Sequence, residues 1–312
     1  MELEGFQLPY SDKRAMWEEG LRETIRMMST SPYPGHNGKY FAMPSRNIVP
    51  KPIQSPHPPL WLACSSRDTM KLAARLGMGA LTFAFTDHRE ARFWVEEYYD
   101  VFRRECVPIG QAVNPNVAVL TGFMLDRDHD KAIELGAPGL RFFAYGLSHY
   151  FRTGVHQPAA TDLYSLFEQA PIAPMAGLGG IGSPSAVAET FELFEEAGVD
   201  QMILLQQAGR YPHSAICDSL ELFGREVLPA FVDRHRTRSE AKRRALEPYI
   251  ERALERVEPF ALTTGPVVEA YPLMLERAAA SDAALGPTRD IGANALWQLH
   301  VGGSATRAGE KD

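Results

Sequence analysis

The stretch that decides the fold reads Leu60-Trp61-Leu62-Ala63-Cys64-Ser65-Ser66-Arg67-Asp68-Thr69-Met70-Lys71-Leu72-Ala73-Ala74-Arg75-Leu76-Gly77. Its first five residues form a short apolar run after two prolines, which predicts a buried strand. Ser65 with Asp68 three residues later fits a capping box and predicts a helix that ends at Gly77. Such a turn offers backbone N–H groups, hydroxyls and the positive end of a helix dipole at one point. A phosphate site and an ordinary capped helix both fit this stretch.

Beyond Gly77 the chain alternates between predicted strands and helices. The apolar runs 80–85, 116–125 and 201–205 predict three more strands. Asp87 and Asp128 are typical residues for the starts of the intervening helices. Strands that alternate with helices of ten or more residues indicate βαβ units and a parallel sheet. The predicted fold class is therefore α/β.

The segment before residue 60 predicts a helix, a turn and a stiff connector. Ser11 is the expected cap of a helix with an apolar face, and Asn37-Gly38 predicts a tight turn. Five prolines between Pro50 and Pro59 predict an extended connector that leads into the first strand of the sheet.

Residues 138–174 interrupt the strand–helix alternation with aromatic and basic residues that lack a clear period. A long insertion of this kind is typical of functional or mobile segments. Alternatively, its aromatic side chains pack a helical excursion against the sheet. The sequence leaves both interpretations open.

Two motifs resemble ligand sites but lack the context that such sites need. Gly177, Gly179 and Gly182 satisfy G-x-G-x-x-G, yet residues 171–175 before them predict no good strand, so a dinucleotide site is weakly supported. The acidic run 126–130 lacks the glycine and the glutamate of a calcium loop and is better interpreted as a helix start.

The composition changes near Arg234, where alternating charges accompany a helical apolar stripe. This pattern predicts an appended amphipathic helix over residues 234–256 with a solvated charged face, and a second helix over 267–280. The predicted organisation is one domain over residues 1–232 and a helical extension with a loose tail over 233–312.

The composition of the 312-residue chain excludes several classes of protein. Its net charge of −7 argues against nucleic acid as a partner. Cys64, Cys106 and Cys217 are widely spaced and form neither a disulfide framework nor a zinc motif, so no metal site is expected. An acidic N-terminus and the lack of a long apolar run predict a cytoplasmic protein without a membrane span.

Several ordered motifs resemble one enzyme family. They are Gly38-Lys39-Tyr40-Phe41, Pro50-Lys51-Pro52-Ile53-Gln54, Pro56-His57-Pro58-Pro59-Leu60-Trp61, the Ser65-Ser66 turn, Gly182-Ser183-Pro184, Glu195-Glu196-Ala197-Gly198-Val199-Asp200 and Ser219-Leu220-Glu221-Leu222-Phe223 with Val227-Leu228-Pro229. In this order they are similar to the bacterial-luciferase-like flavin-dependent monooxygenases over residues 1–232. The resemblance implies a TIM (β/α)₈-type barrel, of which the four predicted strands match strands five to eight. The first four strands have no counterpart, so a truncated, partial barrel is expected.

The resemblance also implies a cofactor and its site. In the family, the turn after the fifth strand helps bind the flavin phosphate, so Ser65, Ser66 and Thr69 are expected hydroxyl donors to FMN, and Arg67 adds charge. The chain departs from the common family pattern at Ala63, Cys64 and Arg67, where glycines and a proline are frequent. Cys64 is interpreted as a small buried residue rather than a nucleophile.

The implied chemistry is oxidation of a small organic substrate by O₂ and reduced flavin, which the protein shields and orients. The resemblance identifies no catalytic residue, because much of the family's ring pocket belongs to the half without a counterpart. His88, Gln206 and Gln207 follow strand ends, where a barrel places function, and His149 and His156 lie in the insertion. For each of them, a structural or solvated role is the simpler interpretation.

A half barrel exposes two sheet edges and an apolar interior, which predicts a homo-oligomer or a complementing chain. The family also implies a separate flavin reductase as a partner. Two alternatives to a monooxygenase stay open. One is a non-catalytic homologue that keeps flavin-phosphate binding or only an association surface, and the other is a reductase that uses a deazaflavin coenzyme.

Overall fold

The computed structural model describes residues 6–83, 87–149, 157, 159–170, 178–258 and 260. These residues lie within one compact unit that ends at Thr264. The strands are β1 His36–Asn37, β2 Ala42–Met43, β3 Trp61–Ala63, β4 Gly79–Phe83, β5 Val117–Gly122, β6 Met124–Leu125, β7 Ile181–Gly182 and β8 Gln201–Leu205. The helices are α1 Lys13–Ser29, α2 Arg67–Arg75, α3 His88–Glu105, α4 His129–Ser148, α5 Leu163–Gln169, α6 Pro184–Glu196, α7 His213–Glu226 and α8 Leu228–Leu254.

A four-stranded parallel sheet with the order β3-β4-β5-β8 forms the centre of the fold. Its strands are the four that the sequence predicts, so the α/β class and the parallel pairing are confirmed. The third predicted strand, however, is interrupted at Phe123, and its last two residues pair with β7 in a separate parallel ladder. Within the described residues the sheet does not close, and β3 and β8 are its two edges.

The main apolar core lies between this sheet, α2, α3 and the distal part of α8. Tyr98 and Phe102 of α3 are fully buried there, together with Val117 and Val119 of β5. Leu246 of α8 joins the same core, as the apolar stripe predicts. A second cluster forms where α6 and α7 cover β6. Since α8 spans residues 228–254, it crosses the predicted division at residue 232, which stays a prediction.

The aromatic insertion contains the end of α4 and the short helix α5. Phe142 of α4 lies 4.9 Å from Tyr164 and 5.5 Å from Phe167, measured between ring centroids. Tyr145 lies 5.6 Å from Phe167. This geometry shows the aromatic side chains packing a helical excursion. Helix α4 continues through Pro138, the first residue of the insertion, because proline removes only one hydrogen bond and Ala137 and Leu140 are anchored in the core.

Two predicted helix boundaries are wrong. Ser11 does not cap α1, which follows a short 3₁₀ turn and has Asp12 at its N-cap without a side-chain bond. The sequence also predicts one helix over about residues 215–231, whereas α7 ends at Glu226 and a new helix begins at Leu228. Pro229 explains this start, since proline fits the first turn of a helix but not its interior. By contrast, Asp87, Asp128 and Ser183 cap α3, α4 and α6.

Helix α2 ends in a Schellman motif at Gly77, as predicted. Met78 N–H donates to Ala73 O at 2.9 Å, Gly77 N–H donates to Ala74 O at 3.2 Å, and Gly77 has φ +68°. The Cβ atom of any other residue at position 77 would lie 2.9 Å from a methyl carbon of Val113, which is too close for an ordinary contact. This turn returns the chain directly into β4.

We expect Gly77→Ala to lower the free energy of unfolding by about 1–2 kcal/mol, the usual cost of a left-handed non-glycine residue. Gly20→Ala is the matched control, because Gly20 lies inside α1 with nothing within 4 Å of the added Cβ. It should raise the free energy of unfolding by up to about 1 kcal/mol. Urea unfolding of both variants measures the difference, and equal effects would contradict the Schellman assignment.

Candidate functional site

The serine turn that follows β3 lies at the carboxyl edge of the parallel sheet. Ser66, not Ser65, is the N-cap of α2: its Oγ accepts from Thr69 N–H at 3.3 Å and lies 3.0 Å from Thr69 Oγ1. The predicted capping box is therefore wrong by one residue. Asp68 falls at the second helical position and pairs with Lys71 Nζ at 3.1 Å instead.

The turn retains hydrogen-bond donors for a ligand. The N–H groups of Arg67 and Asp68 begin the helix, where no intrahelical acceptor exists. Ser65 and Ser66 are exposed, and Thr69 is partly exposed. When Thr69 donates to Ser66, the Ser66 hydroxyl proton is free to donate outward. Backbone and hydroxyl donors thus surround one helix N-terminus, which is a chemically suitable cradle for an anion.

The cations beside this turn are balanced by carboxylates. Arg67 Nε donates to Glu97 Oε2 at 2.9 Å, and Lys71 Nζ lies 3.4 Å from Glu97 Oε1. Hydrogen bonds to Asp68 and Glu97 raise the pKa of Lys71. The positive charge predicted for Arg67 is therefore shared with Glu97, and binding of an anion here depends mainly on the hydroxyl and N–H donors.

Cys64, directly before the turn, is 3% exposed, and its Sγ lies 3.2 Å from Leu62 O. Burial raises the pKa of its thiol to about 12. A thiol that stays protonated at neutral pH is a poor nucleophile. The geometry therefore agrees with the interpretation of Cys64 as a buried packing residue.

Gln206 follows the end of β8 at the same edge of the sheet. Its amide Oε1 and Nε2 are both buried without a hydrogen-bond partner among the described residues. Neighbouring Gln207 differs, since it is exposed and donates from Nε2 to Gly209 O at 3.1 Å. Buried amides are normally paired, so Gln206 has unused capacity to bind a polar ligand.

Sheet order sets the spacing between these groups. Three strand intervals separate β3 from β8, which places the serine turn and Gln206 about 14 Å apart along the edge. His88 lies at the first position of α3 and His149 is buried at the end of α4, while His156 lies outside the described residues. The structure thus brings the serine turn and Gln206 to one edge.

A polar cluster that the sequence did not predict lies at the opposite, amino edge of the sheet. Asp200 accepts from Tyr99 Oη at 2.5 Å, from Val117 N–H at 2.8 Å and from Lys242 Nζ at 2.6 Å. Burial, and then the charge of Asp200, raise the pKa of Tyr99, whereas burial lowers the pKa of Lys242. Lys242 lies in the charged stretch of α8 that predicts a solvated face, and no local signal distinguishes it.

The described parts of the two discounted motifs form a 3₁₀ turn and a capped helix start. Residues 178–180 form a 3₁₀ turn ahead of the two-residue strand β7, and residues 171–177 lie outside the description. Asp126 binds Lys131 Nζ at 2.6 Å, and no group of three metal-ligating side chains occurs among the described residues. None of the described helices is both long and apolar enough to cross a bilayer.

Comparison with known families identifies the chain. The sequence of residues 1–201 matches the family of luciferase-like monooxygenases. The chain belongs to this family. The resemblance seen in the ordered motifs is thereby confirmed. A search of curated protein sequences finds no match.

Solved structures of similar fold are matched over only part of their length. Monooxygenase RslO1 from Streptomyces bottropensis is 16% identical with a TM-score of 0.55, and the match covers 74% of this chain and 65% of that one. A coenzyme F420-dependent tetrahydromethanopterin reductase from Methanopyrus kandleri is 22% identical with a TM-score of 0.47, covering 68% and 62%. The oxygenating constituent of 3,6-diketocamphane monooxygenase from Pseudomonas putida, solved with FMN, is 21% identical with a TM-score of 0.44, covering 66% and 60%. The chain therefore spans less than two thirds of each structure.

Proposed function

We propose that the chain is part of a flavin-dependent monooxygenase that oxidises a small organic substrate, and that Ser65, Ser66, Arg67 and Thr69 hold the phosphate of FMN. The observation that carries this proposal is the turn after β3, where free donors meet at the start of α2 in a member of this family. Membership of the family supports the reaction class, and the donor set supports the position of the phosphate.

The residues present fit FMN at the phosphate end. The hydroxyls of Ser65 and Ser66, with the N–H groups of Arg67 and Asp68, supply donors to a dianion. The unpaired amide of Gln206, about 14 Å along the sheet edge, is positioned to bind a polar group of the flavin ring. Bound reduced flavin supplies the electrons that activate O₂, while these residues orient it.

We further propose that another chain covers the open edges β3 and β8, as a homo-oligomer or as a complementing polypeptide. The unpaired strands and the exposed Ile203 of β8, which is 37% exposed, support this. A separate reductase would supply reduced flavin. The molar mass from light scattering tests the assembly directly, and a strictly monomeric, fully active sample would contradict it.

The decisive measurement compares FMN with riboflavin, which lacks only the phosphate. We expect FMN to bind at least about tenfold more tightly, which corresponds to about 1.4 kcal/mol. Ser66→Ala should weaken FMN about tenfold, because a hydrogen bond to a charged group contributes about 1.5–3 kcal/mol, and should leave riboflavin binding unchanged. Flavin fluorescence quenching measures both ligands.

Ser183→Ala is the matched control, because Ser183 caps α6 as Ser66 caps α2. Both variants should lose about 1 kcal/mol of stability, and only Ser66→Ala should lose FMN affinity. Equal loss of affinity in both variants, or equal binding of FMN and riboflavin, would contradict the phosphate site.

The same titrations separate the alternative functions. Tight binding of a deazaflavin coenzyme in place of FMN would indicate a reductase. Binding of FMN without oxygen-dependent turnover, when a flavin reductase and NADPH are added, would indicate a non-catalytic homologue. Turnover that requires reduced FMN and O₂ supports the monooxygenase.

A further inference from the structure

A cavity of about 880 Å³ runs along β8, from Gln201 at the amino edge of the sheet to Leu204 near the carboxyl end of that strand. Its walls come from β8, α3, α6, α7 and α8, and they include Asn116 and Gln201 at the starts of β5 and β8. The volume is typical of sites for small molecules. The lining includes neither a residue of the serine turn nor Gln206, so this cavity is separate from the flavin site proposed above.

The cavity has one apolar end. Phe191 of α6 lies 6.3 Å from Phe223 of α7 and 6.2 Å from Phe231 of α8, measured between ring centroids. Leu228 and Val232, which line the same end, remain 41% and 57% exposed. Exposed apolar side chains in a concave wall indicate that an apolar group can be buried there.

The other end is cationic although the whole chain has a net charge of −7. Lys242 Nζ lies 5.4 Å and Arg103 Cζ 5.9 Å from the centroid of the Tyr99 ring, so both cations flank the same ring. The cavity is lined by four basic residues and by two acidic ones. The basic residues are Arg103, Arg238, Lys242 and Arg243, and the acidic residues are Glu195 and Asp200.

Two of these cations have capacity for an anion. Arg103 makes no ion pair with any described residue, and its guanidinium group lies about as far from the ring of Tyr99 (5.9 Å) as from that of Tyr249 (6.0 Å). Lys242 uses two of its three N–H donors, on Asn116 Oδ1 and Asp200 Oδ1, both at 2.6 Å. Arg238, by contrast, is paired with Glu195 at 2.9 Å. An anionic head group at Arg103 and Lys242 would be matched in charge.

The distance between the two ends suits an acyl chain. Phe231 and Lys242 lie eleven residues apart on α8, which is about 16 Å along the helix axis. We propose that this cavity binds a single-chain anionic amphiphile, a medium- to long-chain fatty acid, with its carboxylate at Arg103 and Lys242 and its chain among Phe191, Phe223 and Phe231. Such a ligand buries the exposed apolar wall and neutralises the excess of cations in one molecule.

Calorimetric titration of the full chain with dodecanoate, below its micelle concentration, tests the proposal. We expect one molecule bound per cavity, with affinity that falls as salt rises. Dodecanol, which has the same chain without the charge, should bind at least about tenfold more weakly. Arg103→Gln should weaken dodecanoate about tenfold and leave dodecanol unchanged.

Arg104→Gln is the matched control, because Arg104 neighbours Arg103 but pairs with Asp100 and does not line the cavity. Ser239→Trp, at an exposed position of the wall, should fill the cavity and abolish binding of both ligands without removing a core side chain. Absence of saturable binding to the folded chain would overturn the proposal. Equal effects of Arg103→Gln and Arg104→Gln on dodecanoate affinity would also overturn it. The same holds if the chain binds anionic vesicles but not free dodecanoate, or if dodecanoate fails to bind and Ser239→Trp dissociates a dimer of the chain.

Discussion

Asp200→Ala is expected to lower the free energy of unfolding by about 3 kcal/mol. The Asp200 carboxylate is 14% exposed and accepts hydrogen bonds from Tyr99, Val117 N–H and Lys242. Removing it leaves three donors without their acceptor, and one of them is a cation that is only 27% exposed. Breaking a buried ion pair from one side costs about 3–5 kcal/mol, and the partial exposure of Lys242 favours the lower value.

Chemical unfolding of Asp200→Ala and three further variants distinguishes this cluster from ordinary surface charge. Asp100→Ala, which removes a carboxylate from an exposed pair with Arg104, should cost less than about 1 kcal/mol. Lys242→Met should cost less than Asp200→Ala, because Asp200 retains Tyr99 and Val117 N–H as donors. The double variant Asp200→Ala/Lys242→Met should lose less free energy of unfolding than the sum of the two single losses, by about 1 kcal/mol or more. Strict additivity would show that the two side chains do not interact.

The sequence predicts the local signals of this fold well, since each depends on a few neighbouring residues. The four strands of the central sheet, the caps Asp87 and Asp128, and the left-handed Gly77 all appear where their patterns place them. Errors arise where two adjacent residues offer the same chemistry. Ser65 and Ser66 both carry a capping hydroxyl, and the exit of the chain from β3, a tertiary feature, selects Ser66.

The unpredicted features depend on contacts between distant parts of the chain. Lys242 resembles its solvated neighbours in α8, and its partial burial follows only from the contacts of that helix with Asn116 and Asp200, directly before β5 and β8. Gln206 was a candidate because it follows a strand, but its unpaired amide can be recognised only once the surrounding atoms are placed. Periodicity identifies which face of a helix is apolar, whereas it does not identify which polar side chain that face will enclose.

Gln206→Met is expected to raise the free energy of unfolding of the flavin-free protein while it weakens flavin binding. Each buried polar group without a partner costs about 1–3 kcal/mol, and methionine has a similar length without an amide. We therefore expect a gain of about 1–3 kcal/mol without flavin and a loss of about tenfold in FMN affinity. Opposite signs for stability and binding are typical of a side chain that is retained for its ligand.

Gln207→Met controls for the chemical change at a neighbouring site. Gln207 is exposed and already donates to Gly209 O, so its replacement should change stability by no more than about 0.5 kcal/mol and leave FMN binding intact. Thermal unfolding with and without FMN measures both quantities in one series.

If Gln206→Met destabilises the flavin-free protein, the amide is satisfied by water or by a protein group and its capacity is not reserved for flavin. If instead stability rises while the affinities for FMN and riboflavin fall together, Gln206 contacts the ring, because riboflavin shares the ring and lacks the phosphate.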